Sequence, residues 1–276
     1  MGGSGGFINH NKGYVMEQLI IVKIGGNIID DSSRLKMFLM QLSAIEGYKI
    51  LVHGGGKIAT ETGKKLGIEA NYVDGRRITD AATLELVTMV YGGLVNKNIV
   101  SLLQNAGTNA IGLTGADGCL IRATKRPVGT IDYGYVGDIA ADGINTALLS
   151  TLLHSRMTPV ISPLSYEQGT GLLNTNADTI ANEIAIAMST IMQVKLVYCF
   201  EQVGVLRDIS DTATVIPVIT ATNYHHLKTI EVISGGMIPK LDNAFRAIAH
   251  GVEHVIIGQA EDVQALLSGT KGTLIK

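Results

Sequence analysis

Short apolar runs alternate along this chain with longer segments whose apolar residues recur at helical spacing. The runs predict strands at 18–24, 48–53, 110–113, 157–161, 194–200 and 252–258. Strands that alternate with helices form a mostly parallel sheet, and the helices then cover both of its faces. The alternation therefore predicts an α/β fold, a three-layer α/β/α sandwich around a mostly parallel central sheet.

The segments between these runs predict helices, with one exception. The exception is 118–138, where short alternating pieces with Gly, Pro and Tyr predict β-hairpins. Parallel sheets bind ligands beyond the carboxyl ends of their strands, so we expect the functional residues there. Helices are predicted at 33–46, 57–66, 80–105, 143–154, 176–189, 239–250 and 262–267.

The composition is that of an ordered, soluble protein. The 276 residues can bury one large core or two modest ones, and 46% are hydrophobic. A formal net charge of -2 gives no electrostatic case for nucleic acid, and no run of apolar residues is long enough to favour a membrane span. Cys119 and Cys199 favour reduced thiols in a cytoplasmic protein, with a disulfide between them left open. The Gly- and Ser-rich residues 1–15 predict a tag or a disordered tail.

A single lysine interrupts the first apolar run, and two glycines follow it. Lys23 lies in the predicted strand, and Gly25 and Gly26 come directly after its end. A buried lysine is costly unless an anion meets it, and glycine lacks the Cβ that would keep an anion from the backbone N–H groups. The segment therefore favours a phosphate site. The alternative is a strand that ends in a glycine turn, with the lysine reaching solvent.

Four polar or glycine-rich segments fall where strands give way to helices. They are 23–26, 53–57, 174–178 and 234–240. A helix that begins after glycine offers free N–H groups at its positive end, so several such segments at one sheet edge suit an enzyme that handles several phosphates. The P-loop pattern is absent, the dinucleotide fingerprint does not follow the first strand, and no zinc-type spacing of Cys or His is present.

The order of motifs resembles the amino acid kinase family. The motifs are K-I-G-G, V-H-G-G-G, G-x-R-I-T-D, N-x-N-A-D and G-G-M-I-P-K, and the match runs from about residue 18 to the C-terminus. The resemblance implies that ATP phosphorylates the γ-carboxylate of an N-acyl-L-glutamate in arginine biosynthesis, with acetyl as the expected acyl group. It also implies a substrate-binding and dimerisation lobe at 16–190, a nucleotide-binding lobe at 191–276, and Mg²⁺ held mainly by the phosphates.

The resemblance also implies a role for each motif residue. Lys23 and Lys240 would neutralise the phosphoryl group in transit, and Asp178 would hold both lysines. A carboxylate acceptor is ionised at neutral pH, so this chemistry needs no general base. The implied substrate-binding residues are Gly55, Gly56, Arg77 and Asn174, and the implied nucleotide-binding residues are Gly25, Gly26, Glu201, Gly204, Ser234, Gly235 and Gly236.

Each role has a simpler alternative. Arg77 could lie in a surface turn, Asp178 could cap a helix, and His53 at a strand end is more often structural than catalytic. Residues 200–205 also depart from the family's T-D-V-x-G-V segment, and the loop at 114–118 lacks the family's lysine. These departures leave room for an N-succinyl substrate.

Rival functions remain at the level of the sequence. One is another kinase of the family, acting on aspartate, glutamate or carbamate, and another is a ligand sensor without catalysis that keeps the fold. The resemblance implies that arginine-inhibited, hexameric relatives use an extra N-terminal helix, and residue 16 comes too shortly before the first strand to leave room for one. We therefore expect a homodimer that is insensitive to arginine and held by the helix at 80–105.

Overall fold

The structure is a computed structural model that describes residues 16–73 and 75–276, so the predicted tail at 1–15 lies outside the described residues. Eight strands form the central sheet, and every neighbouring pair is parallel except β13 with β14. The prediction of a mostly parallel sheet is confirmed. In spatial order the strands are β12 (Val218–Ile219), β14 (Thr273–Ile275), β13 (His254–Gln259), β11 (Gln193–Phe200), β1 (Gln18–Ile24), β2 (Tyr48–His53), β8 (Thr158–Ile161) and β5 (Ala110–Leu113).

Helices cover both faces of this sheet. Successive residues of a strand point to opposite faces, and in β1 Leu19 and Ile21 enter one hydrophobic core while Val22 and Ile24 enter the other. The three-layer arrangement follows from this alternation. The helices are α1 (Gly26–Ile29), α2 (Ser32–Ser43), α3 (Gly56–Lys65), α4 (Ala81–Val87), α5 (Asn96–Asn105), α6 (Thr146–His154), α7 (Ala177–Met188), α8 (Ala221–Thr229), α9 (Met237–Ala249) and α10 (Val263–Leu267).

A second sheet lies beside the central one. Its order is β10 (Gly171–Asn174), β9 (Leu164–Glu167), β6 (Ile121–Lys125) and β7 (Gly137–Ile144), and a separate small hairpin pairs β3 (Tyr72–Val73) with β4 (Arg76–Arg77). The antiparallel pair β6–β7 accounts for the predicted hairpin texture. The helix predicted from 143 begins later, because β7 continues to Ile144 and the Asn145 side chain caps the helix at Leu148 N.

The predicted long helix is present, but its middle is wound more widely than an α-helix. Residues Thr88–Val95 form a π-helix between α4 and α5, and Asp80 caps the whole helix through a 2.8 Å bond from Thr83 N. By length and composition alone, Ala81–Asn105 could cross a membrane, a test that core helices of soluble proteins also pass. Leu86 and Ile99 from this helix are buried in the core. π-Helical turns occur often at functional sites, and this one faces the loop that follows β2.

Candidate active site

Asp178 lies between two lysines that come from opposite ends of the chain. Its Oδ1 is 2.6 Å from Nζ of Lys23 on β1, and its Oδ2 accepts a 2.7 Å hydrogen bond from Nζ of Lys240 on α9. Asp178 does not cap its helix, because the Asn176 side chain accepts the backbone N–H groups of Asp178 and Thr179. The structure thus brings together the three residues assigned to catalysis.

The two lysines keep Asp178 ionised. Burial by itself would raise the pKa of this carboxyl, since desolvation favours the neutral form. The charges of Lys23 and Lys240, together with their hydrogen bonds, outweigh burial and hold the pKa below its ordinary range. The cluster therefore carries two ammonium groups against one carboxylate, an excess positive charge suited to a bound anion.

Most of the residues assigned to substrate and phosphates line one cavity. It has a volume of about 220 Å³ and lies at the carboxyl ends of β1 and β2, at the edge predicted for parallel sheets. The residues predicted from sequence that line it are Lys23, Gly25, Gly26, Gly55, Gly56, Arg77 and Asn174.

Gly55, in the glycine loop after β2, lies too close to the π-helix to carry a side chain without displacing it. Gly55 has φ of 145°, and a Cβ there would lie 3.2 Å from Tyr91 and 3.4 Å from Val95 of the π-helix. Only glycine combines that backbone angle with so close an approach. The π-helix therefore fixes the position of the loop at the floor of the cavity.

His53 is structural, as the simpler alternative held. It is fully buried, and its Nδ1 lies 2.7 Å from the carbonyl oxygen of Gly54 while its Nε2 lies 3.1 Å from Asn96 Nδ2. Because a carbonyl only accepts, Nδ1 carries the proton and Nε2 accepts from Asn96. Burial lowers the pKa of His53 to about 4, so the ring is neutral at physiological pH.

This buried histidine should make the free energy of unfolding depend on pH. In the unfolded chain His53 takes up a proton as the pH falls below 6.5, but in the folded chain it does so only near pH 4. The free energy of unfolding is therefore highest above pH 6.5 and decreases as the pH falls towards 4. We expect a loss of about 2 kcal/mol between pH 7.5 and pH 5. Urea denaturation of the wild type and of His53→Gln at both pH values measures it.

His225→Gln is the control for this experiment, because His225 is exposed on α8. The His53→Gln variant should lose most of the pH dependence, and the His225→Gln variant should keep it. Equal slopes in the wild type and in His53→Gln would contradict the assignment.

Arg77 is buried and does not lie in a surface turn. Its Nη2 donates to Gly56 O at 2.8 Å, to Thr60 Oγ1 at 2.7 Å and to the Tyr72 hydroxyl, and its guanidinium stacks 4.8 Å from the centre of the Tyr72 ring. The neighbouring Arg76 is exposed. Both arginines line the cavity, but the small hairpin buries only Arg77 and fixes it by these bonds.

The residues assigned to the nucleotide are more scattered. Gly204 and Ser234 line a second cavity of about 430 Å³, at the carboxyl end of β11. The Glu201 carboxylate instead accepts a hydrogen bond from Asn27 on α1. Gly235, with φ of 54°, and Gly236 form the turn that begins α9 and so place Lys240 one helical turn later.

Three contributors to the main cavity region escaped sequence reasoning. Tyr72 lies in a strand of only two residues, and Tyr91 lies in a helix whose apolar pattern hides it. Thr79 is fully buried and bonds to Asn174, as described below. Thr79 could have been identified from the sequence as a candidate site residue, because it belongs to the same G-x-R-I-T-D motif as Arg77.

Comparisons with known proteins found similar sequences and a similar fold. The sequence profile described as "Amino acid kinase family" matches residues 18–259. An acetylglutamate kinase of Phocaeicola vulgatus is 53% identical over 260 residues, covering 94% of this chain and 99% of that protein. One of Cytophaga hutchinsonii is 53% identical over 257 residues, covering 93% and 97%. The solved structure of carbamate kinase from Giardia lamblia bound to AMP-PNP shares the fold, with a TM-score of 0.68 at 14% identity, covering 94% of this chain and 98% of that one.

Proposed function

The chain belongs to the amino acid kinase family, and from that premise we propose that it transfers the γ-phosphoryl group of ATP to the γ-carboxylate of N-acetyl-L-glutamate. The product is an acyl phosphate, an intermediate in arginine biosynthesis. The observation that carries this proposal is the pair of lysines held by Asp178 beside the glycine loops. The relatives of about half-identical sequence that are named acetylglutamate kinases support the choice of substrate.

The chemistry requires charge neutralisation more than proton transfer. The acceptor is a carboxylate and the donor a polyphosphate, so two anions must approach each other. Lys23 and Lys240 are already oriented by Asp178, so they can stabilise the charge in transit without reorganising at the moment of reaction. No general base is needed, which agrees with the neutral, buried His53.

The cavity supplies donors for the rest of the acceptor. We assign the α-carboxylate to Arg77, because a guanidinium binds a carboxylate through two parallel N–H groups. Asn174 contacts the acylated nitrogen, and Gly55 and Gly56 offer backbone N–H groups without side chains in the way. Gly25 and Gly26, at the start of α1, offer theirs to the phosphates.

The nucleotide occupies the other side of the lysine pair. We assign it to Ser234, Gly235, Gly236, Gly204 and Glu201, within the lobe at 191–276, while the lobe at 16–190 takes the amino acid. Mg²⁺ would enter with ATP and be held mainly by phosphate oxygens. Bound there, Mg²⁺ would add positive charge to the transferring phosphates.

A substrate panel tests the proposed function. We expect ATP turnover with N-acetyl-L-glutamate to exceed that with free L-glutamate or L-aspartate by about 10²-fold or more. The free amino acids carry a charged ammonium group, which costs more to remove from water than a neutral amide does. A coupled ADP-release assay with N-acetyl-L-glutamate, N-succinyl-L-glutamate, L-glutamate, L-aspartate and carbamate measures it. Preference for N-succinyl-L-glutamate would correct only the acyl group. Turnover with free amino acids alone, or none with any acceptor, would overturn the proposal.

We also propose a cytoplasmic homodimer formed through the long helix. The dimer is proposed because Met89 and Leu94 on this helix are 56% and 60% exposed, although both are large and apolar. The cytoplasm is proposed because Cys119 and Cys199 are free thiols. Sedimentation velocity should give twice the chain mass of 29.2 kDa. Leu94→Glu should shift it to the monomer, and Leu66→Glu, at a leucine of similar exposure that follows the end of α3, should not. A monomeric wild type would contradict the proposal.

A further inference from the structure

Thr79 joins two of the residues assigned to the acceptor. It is fully buried in the connection between β4 and α4. Its hydroxyl donates to the carbonyl oxygen of Arg77 at 3.2 Å and accepts from Nδ2 of Asn174 at 3.0 Å. One hydroxyl therefore contacts both the hairpin that carries Arg77 and the strand that carries Asn174.

Backbone hydrogen bonds fix Thr79 through both its N–H and its carbonyl group. Thr79 N donates to Tyr133 O at 2.9 Å, Tyr135 N donates to Thr79 O at 2.7 Å, and Asn174 N donates to Tyr135 O at 2.9 Å. Gly134, between the two tyrosines, has φ of 72°, and a Cβ there would lie 2.1 Å from Thr79 O. The three segments therefore hold the Thr79 hydroxyl at a fixed distance from Asn174.

The hydroxyl also decides which way the Asn174 amide points. A threonine hydroxyl has one proton, and here the proton goes to the Arg77 carbonyl, which can only accept. Towards Asn174 the hydroxyl oxygen can then only accept, so the NH₂ group of the amide must face it. The amide oxygen Oδ1 remains, and among the described residues no donor of the protein bonds to it, while Asn174 lines the cavity.

We propose that Thr79 is a positioning residue that makes the acceptor site select an amide N–H. By fixing the amide of Asn174, Thr79 presents Oδ1, a hydrogen-bond acceptor, to the acylated nitrogen of the substrate. An analogue with an ester oxygen in place of that N–H would meet acceptor against acceptor and be rejected. This inference rests on the proposed function, since it concerns the acyl nitrogen of that substrate.

The test compares Thr79→Val with the wild type on two substrates, N-acetyl-L-glutamate and 2-acetoxyglutarate, its ester analogue. Valine keeps the volume of threonine but lacks the hydroxyl, so the Asn174 amide can turn. The ratio of kcat/KM for the amide to kcat/KM for the ester should fall about 10-fold or more in Thr79→Val, since a polar site that loses its fixed acceptor loses discrimination. A merely structural loosening would lower both values together and leave the ratio unchanged.

Two further variants complete the test. Thr79→Ser keeps the hydroxyl and should keep the ratio at the wild-type value. Thr158→Val, which changes a buried threonine at the start of β8, should also leave the ratio at the wild-type value. Circular dichroism and thermal denaturation of each variant verify folding. An active wild type whose ratio is unchanged by Thr79→Val overturns the inference alone. A wild type that does not turn over N-acetyl-L-glutamate overturns the proposed function, and this inference with it.

Discussion

Replacing Lys240 with methionine should lower kcat for N-acetyl-L-glutamate about 10²- to 10³-fold, because it removes one of two preorganised cations from the transferring phosphoryl group. Methionine keeps most of the apolar stem of lysine, so the packing of α9 should survive. Asp178 stays paired with Lys23 at 2.6 Å, so no buried carboxylate is left alone. Steady-state kinetics at saturating ATP measures the change.

The matched control is Lys57→Met. Lys57 lies at the start of α3 near the same cavity, but its side chain is 60% exposed. Its Nζ lies 3.8 Å from Asp30 Oδ2, too far for a strong ion pair, so its loss should change kcat less than about threefold. Adding Asp178→Asn to Lys240→Met should cost less than the two single changes combined, because the three residues act as a unit. Near-normal turnover by Lys240→Met would contradict the mechanism.

Replacing Arg77 with alanine should raise KM for N-acetyl-L-glutamate about 10²-fold or more, with KM for ATP within about threefold. Removing one partner of a buried charge pair costs about 2–5 kcal/mol, and each 1.4 kcal/mol is tenfold in affinity. Arg77→Lys should recover only part of the loss, since an ammonium group cannot bind a carboxylate with two parallel N–H groups. Initial-rate kinetics with each substrate varied in turn measures the effect.

The adjacent arginine provides the control. Arg76 is exposed in the same hairpin, and Arg76→Ala removes the same charge from the cavity wall without removing the buried guanidinium. We expect a change in KM of less than about tenfold. Because Arg77 also bonds to Gly56 and Thr60, thermal denaturation must show that Arg77→Ala is folded. An unchanged KM in Arg77→Ala would show that the α-carboxylate binds elsewhere.

The sequence predicted strands that follow apolar runs better than the shorter strands without such a run. The strands at 18–24, 48–53 and 110–113 were predicted with the bounds that the structure gives, because each consists mainly of consecutive apolar residues. The strands β9, β10, β12 and β14 were missed. They have two to four residues each, and their pairing depends on partners distant in sequence, which no local pattern reveals.

The site shows the same division. Lys23 could be recognised as a buried charge awaiting an anion, from its place in an apolar run. Its proximity to Asp178 and Lys240 could be expected only from the resemblance to a family, since nothing in the local sequence brings these three residues together. Thr79 and Tyr91 act through contacts with other elements, and neither residue type stands out where it occurs.

The order of the sheet bears on how the chain folds during synthesis. β1 is made first among the described strands, yet it lies in the middle of the sheet, between β2 and β11. One of its edges can pair as soon as residues 48–53 leave the ribosome, and the other stays open until residues 193–200 follow. An apolar parallel edge exposed for that long is a site for wrong pairing. Lys240 emerges later still, so a nascent chain has no complete lysine pair until α9 has been translated.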